Sequence, residues 1–311
     1  MSEPAMGGRA GPPGRAVMGA AILAFVLGCG AASFESIERG DRLFAVGDVE
    51  GAIAEYKLAT RQHGEDPELL LRLGHAYAVS GDVDESLRYY AALLEQDSSY
   101  TYQAATDLAT VARAALDQGA RDNMSRALQP VLSWGLGLIP ADLQLELGRY
   151  YWSDGDYPRA LPLFLTVLAE EPDVDPLVYY EAGRAYEELS GCRRSLELFE
   201  LYLARSEGSG EETASAQWHL GNCLFLVADE DREAGRPRSA LDKLDRMIDL
   251  GVPQTRIDVA HFNRGELLVA LGDRSGALAA FEEVLRMNRT RTKPIVQRAE
   301  QRIRQLRFDS D

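Results

Sequence analysis

The sequence predicts an all-α fold made of repeated helical hairpins, on three observations. The first is a glycine followed three residues later by tyrosine or leucine, which recurs at Gly40/Leu43, Gly74/Tyr77, Gly148/Tyr151, Gly183/Tyr186, Gly221/Leu224 and Gly265/Leu268. The second is a small residue followed four positions on by a large one: Ala52/Tyr56, Ser86/Tyr90, Ala160/Phe164, Ser195/Phe199, Ala240/Leu244 and Ala277/Phe281. Steps of three and four place residues on one helix face. The distance from glycine to small residue is twelve in five of the six units (40 to 52, 74 to 86, 148 to 160, 183 to 195, 265 to 277). A register kept at this period marks stacked two-helix units. The third observation is that no strand-like alternation competes with these helical steps.

The elements follow in chain order. Arg9 and Arg15 precede an uncharged, largely apolar run from Ala16 to Leu27. A permanent membrane span needs about 20 apolar residues, so this shorter run reads as the core of a secretion signal over residues 1–28. Residues 29–32 form a short linker, and about seven helical repeats are expected over 33–289. Gly47, Gly81, Gly155 and Gly272 are each followed by aspartate. Glycine tolerates the positive φ of a tight turn and aspartate caps the helix that follows, so each pair marks the turn inside a hairpin.

The segment of about 100–139 lacks the glycine signature but keeps helical spacing in Leu108, Val111, Ala115 and in Met124, Leu128, Val131, and reads as one degenerate hairpin. Between Gly221 and Ala240 the spacing grows by seven residues around Asp229–Gly235, and this polar insertion, about 229–236, is expected on a loop. Residues 290–311 are expected to form a closing helix from about Pro294 to Phe308 with a tail. Arg286, Arg289, Arg291, Lys293, Arg298, Arg302, Arg304 and Arg307 lie in and before it, with only Glu300 opposing them. They are expected to be the solvated face of a cap, as solenoid ends require; contact with anionic lipid or an acidic partner is the other use of such a face.

Leu147-Gly148-Arg149-Tyr150-Tyr151, Gly155-Asp156-Tyr157, Ala160 to Phe164 and Pro172 resemble the tetratricopeptide repeat, as do Leu73-Gly74-His75-Ala76-Tyr77 and Gly81-Asp82. The resemblance implies a right-handed superhelical solenoid that binds proteins. It also implies that the first helix of each repeat lines a concave groove. Counted from the glycine, the partner-binding residues it implies are Phe44, Leu71, Leu145, Arg149, Trp152, Tyr180, Arg184, Trp218, Asn222, Phe225 and Phe262, with Phe34, His75, Ala78 and Glu187 on the same inward stripe. Aromatic residues beside Arg and Asn have the composition of binding hot spots, and such a groove suits an extended peptide or an amphipathic helix.

Val26-Leu27-Gly28-Cys29 resembles the bacterial lipobox. That implies a diacylglyceryl group on the Cys29 thiol, cleavage after Gly28, and a chain held to the membrane by lipid; ordinary signal cleavage near Ala31-Ala32 is the alternative. Gly30, in place of aspartate, implies sorting to the outer membrane, facing the periplasm. The chain resembles tetratricopeptide lipoproteins of outer-membrane assembly, including those that pilot secretin subunits in type IV pilus biogenesis. The implied function is a scaffold or chaperone whose partners are envelope proteins; the alternative is an adaptor regulating enzymes of peptidoglycan synthesis or hydrolysis.

Other classes find little support. With 46% hydrophobic and 26% charged residues the chain is globular. A net charge of −16 opposes the broad basic surface that nucleic acid requires. The sequence has no G-x-S-x-G, no H-E-x-x-H and no phosphate-cradling glycine loop, so neither catalysis nor a cofactor is expected. His63, His75, His219 and His261 are scattered; His219 and Cys223, four apart on one helix face, offer two zinc ligands where a structural site usually takes four, so no metal is expected. Cys192, at a helix start, and Cys223, inside a helix of the next repeat, are expected as free, buried thiols, although export would permit a disulfide.

Overall fold

The computed structural model describes residues 35–171, 173–206, 210–290 and 292–308. The segment expected as a secretion signal, the Cys29 tetrapeptide that resembles a lipobox, Phe34 and Pro172 lie outside the described residues. The chain divides into two compact units, the first ending at Ile139 and the second beginning at Pro140. Among the described residues the structure is all-α and no helix is long and apolar enough to cross a membrane.

The first unit stacks three hairpins: α1 (35–45) with α2 (Val49–His63), α3 (Pro67–Ser80) with α4 (Val83–Gln96), and α5 (Thr101–Asp117) with α6 (Arg121–Trp134). The second stacks four: α7 (Ala141–Ser153) with α8 (Tyr157–Glu170), α9 (Leu177–Glu188) with α10 (Cys192–Arg205), α11 (Glu211–Glu233) with α12 (Pro237–Leu250), and α13 (Gln254–Ala270) with α14 (Arg274–Met287). The closing helix α15 (Pro294–Phe308) packs on α14 and α13.

Local chemistry makes the hairpins. At each Gly-Asp pair the glycine is left-handed, with φ of 82° at Gly81 and 74° at Gly155, and the aspartate turns back to cap the next helix: Asp48 Oδ1 accepts from Gly51 N at 2.9 Å and Asp273 Oδ1 from Gly276 N at 2.9 Å. A cap of this kind is worth about 1 kcal/mol. The helical glycines have a different task. A Cβ on Gly148 would lie 2.8 Å from the Phe164 ring, and one on Gly265 would lie 2.6 Å from that of Phe281. The glycine of the first helix is thus the slot for the aromatic residue of the second helix of the same hairpin. Tyr90, Phe164, Phe199 and Phe281 are fully buried there.

The sixth hairpin fills its slot otherwise. Leu244 replaces the aromatic residue, and the position facing Gly221 is taken by the turn before α13: a Cβ there would meet the Val252 carbonyl oxygen at 2.0 Å.

Two expectations are corrected. The polar stretch expected as a loop is helix: α11 continues to Glu233 and the turn is confined to Ala234–Arg236, with Gly235 at φ 70°. Asp, Glu, Arg and Ala tolerate helix well enough, and Asp231 gains a buried place there. Its side chain is fully buried and accepts from Arg193 Nη2 at 2.6 Å, Arg236 Nη2 at 2.7 Å and Ser239 Oγ at 2.5 Å. Burial alone would raise its pKa; the hydroxyl and the two guanidiniums hold it far below the usual carboxylate range.

Second, Cys192 and Cys223 are not free thiols. They form a disulfide with Cα atoms 5.0 Å apart, joining the first turn of α10 to the middle of α11. Sequence spacing does not report that Cys192, at the hairpin turn, faces the middle of the next repeat's first helix. The geometry does.

Candidate functional site

The inward stripes of the first helices are the candidate interaction surface, and each unit carries its own. In the first unit, Phe44 of α1 lies against His75 of α3, ring centres 5.2 Å apart, and Leu71 is half-buried one turn earlier. His75 Nδ1 is 2.9 Å from Asp107 Oδ2 on α5. Asp107 is 7% exposed, and also accepts from Gln103 Nε2 at 3.0 Å and from the Tyr90 hydroxyl. Burial pushes its pKa up, but the bonds from His75, Tyr90 and Gln103 outweigh it and leave a net lowering. The bond to Asp107 raises His75 above its ordinary value, against the opposing effect of burial.

Above this pair opens a cavity of about 280 Å³ walled by Ala78, Val79, Val111 and Ala114, with Thr110 at its edge. Val79 is 54% exposed. The Thr110 hydroxyl donates to Thr106 O at 3.0 Å. The arrangement is a small apolar socket with a polar floor, shaped for one aliphatic or aromatic side chain and a hydrogen bond to the imidazole.

In the second unit the polar residues of the stripe connect one repeat to the next. Arg149 of α7 donates to Glu181 of α9 at 2.9 Å and to Glu146 at 3.2 Å. Tyr180 of α9 shares a hydrogen bond with Ser215 of α11 at 2.9 Å and packs on Phe199 and Tyr202. Arg184 reaches Glu188 at 3.0 Å, and Asn222 of α11 donates to Glu187 of α9 at 3.0 Å. Leu145 and Trp152 are half-buried; the Trp152 ring lies against Tyr157, with its buried indole N–H lacking an acceptor. Phe225 is half-buried under Arg256.

Two positions differ sharply. Trp218 is 46% exposed, and Leu226, two turns along α11 with Asn222 between them, is 40% exposed. Phe262 is only 3% exposed: it packs on Phe281 and lies beneath Arg298 of α15, so the closing helix occupies its stretch of the stripe. Phe262 is therefore core, not groove.

The sequence missed Val79, Asp107, Val111, Ala114 and Leu226. The residues of α5 belong to the hairpin without a signature, so nothing set their register. A buried-side aspartate among Ala, Leu and Val in 104–115 was the available clue.

One model of the tetratricopeptide repeat matches residues 37–101 and 145–190, and a second model of the same repeat matches 259–291. No curated protein matches the sequence. Solved structures that share similarity include the protein MamA (22% identity over 58% of this chain and 98% of that one, TM-score 0.37). Others are the C-terminal part of a repeat-containing protein from Cytophaga hutchinsonii (16%, 85% and 98%, 0.37) and a tetratricopeptide repeat protein from Parabacteroides merdae (16%, 86% and 97%, 0.35). The class is therefore an all-α stack of helical hairpins that carries tetratricopeptide repeats at the matched residues.

Proposed function

We propose that the chain is a lipid-anchored scaffold of the bacterial envelope, tethered through Cys29 at the periplasmic face of the outer membrane, that docks envelope proteins on its inward stripes. Assembly of secretins or type IV pili is the setting its lipobox and repeats resemble. The observation that carries the docking part is the socket between α3 and α5. An apolar opening beside a 54%-exposed valine, on a hydrogen-bonding floor, accepts a partner's side chain without rearrangement of the stack. Trp218 offers a second anchor of the type that dominates interfaces.

Cross-linking in intact cells followed by mass spectrometry tests this, with Val79→Asp and Trp218→Ala beside the native chain. Each variant should keep its helical circular dichroism and lose one captured envelope protein, a loss of about 2 kcal/mol or more if the residue is an anchor. Unchanged capture by both folded variants sinks the stripe as the docking site. Capture of peptidoglycan synthases or hydrolases in place of assembly proteins would reassign the pathway. Cys29→Ser should release the chain from the membrane fraction and abolish lipid labelling; retention without label would remove the anchor from the proposal.

A further inference from the structure

The disulfide lies beside a carboxylate and an imidazole. Glu187 of α9 places a carboxylate oxygen within 4.8 Å of both the Cys192 and Cys223 sulfurs. His219, one turn before Cys223 on α11, holds Nδ1 2.7 Å from Glu187 Oε2. These two atoms are buried and in ion-pair contact without hydrogen-bonding angles, and Arg184 Nε, also buried, lies 3.5 Å from the same oxygen. An imidazole and a guanidinium thus converge on one carboxylate oxygen without a well-aligned hydrogen bond, an imperfectly satisfied polar cluster beside the two sulfurs.

We propose that, once the disulfide is reduced, Cys192, Cys223 and Glu187, whose ligand atoms already lie together, bind a thiophilic divalent cation of the zinc class, with His219, now in contact with Glu187, turning to supply the fourth ligand. Two thiolates, one imidazole and one carboxylate are a donor set that zinc accepts, and a closed tetrahedral site needs four. Reduction by a thiol consumes two reductant thiols and returns two cysteine thiols and the reductant's disulfide. Metal binding then expels the two cysteine thiol protons. The cation replaces the imidazole's approach to Glu187, and Arg184 keeps its pair with Glu188 at 3.0 Å. A covalent staple between α10 and α11 is exchanged for a coordinate one that also takes in α9.

The test is anaerobic titration of the purified, phosphine-reduced protein with cobalt(II), a spectroscopic stand-in for zinc. One equivalent should produce the thiolate-to-cobalt charge-transfer band and the intense visible bands of a tetrahedral ion, both erased by zinc; the oxidised protein should give neither. Glu187→Gln and His219→Asn retain both cysteines, and each should weaken cobalt binding by more than about tenfold. Circular dichroism of the reduced, metal-free forms checks that the repeats remain folded. A folded reduced protein without the charge-transfer band overturns the site. So does native affinity in both single variants, which would leave two thiolates binding by themselves.

Discussion

A Cβ carbon is enough to test the packing rule of this stack. Replacing a mid-helix glycine by alanine gains about 1 kcal/mol of helix propensity, whereas overfilling a packed interior costs about 1–3 kcal/mol. At Gly148 the obstacle is the edge of the Phe164 ring at 2.8 Å, which can tilt; at Gly221 it is a main-chain carbonyl at 2.0 Å, which moves only with its whole turn. Gly221→Ala is therefore expected to lower the urea midpoint more than Gly148→Ala, and equal shifts would contradict the distinction. The six glycines were legible in the sequence as a register. What each one faces was not, because Leu244 in the sixth unit looks like a conservative replacement for an aromatic residue while the slot is in fact closed by a distant turn.

The same scale holds a pH-dependent contact. His75 is raised above its ordinary value of 6.5 by Asp107. A raised folded pKa contributes stability that is complete below the unfolded value and disappears as pH rises through the folded one. The imidazole of His75 should titrate above 6.5 by NMR, and His75→Gln should remove that part of the pH slope. Asp107 is lowered, so its contribution is present above its unfolded value near 3.8 and lost as pH falls through the folded one. Because the His75 side chain is 43% exposed, the slope should be shallow. A titration midpoint at or below 6.5 would show that the pair does not form.

At the scale of the element, α11 separates what pattern can and cannot tell. Its register was readable from Gly221 and Leu224, but its last five residues, Asp229–Glu233, look like solvent-exposed loop by polarity alone. The deciding fact is three-dimensional: Asp231 is met by Arg193 from α10 and by Arg236 and Ser239 from the start of α12. The guanidiniums are about half exposed and can return to water when the carboxylate is removed. Asp231→Asn is thus expected to cost about 1–3 kcal/mol, the range for a broken buried hydrogen-bond set. Since the folded pKa is depressed, the wild-type contribution is present above the unfolded value and lost as pH falls through the folded one. The gap between wild type and variant in thermal unfolding should therefore be widest near neutrality and close in strong acid. A gap that persists there would assign the effect to packing. The disulfide was equally hidden, because the start of α10 and the middle of α11 are 31 residues apart in sequence and adjacent only after stacking.

For the molecule as a whole, each repeat is stabilised by its neighbours, so the end of the stack needs an element that buries one face and wets the other. In α15, Ala299 and Ile303 join the core of α13 and α14, Val296 is buried as well, Arg302 pairs with Glu266 at 2.6 Å, Arg307 with Glu282 at 2.8 Å, and Arg298 covers Phe262. The basic residues of the tail thus answer acidic residues of the repeat beneath them, with Lys293 likewise 2.7 Å from Asp258. Ending the chain before Pro294 would uncover that core at a cost of about 3 kcal/mol or more, taking about 1.5–3 kcal/mol for each large apolar side chain exposed. Nearest-neighbour coupling dictates where the loss appears. Hydrogen exchange should quicken most in α13 and α14, less in α11 and α12, and least in α7 and α8, because only the first pair loses direct contacts. Equal quickening from α7 to α14 would mean that the second unit unfolds as one cooperative block, and that the Cys192–Cys223 link between α10 and α11 transmits the loss of the cap through the unit.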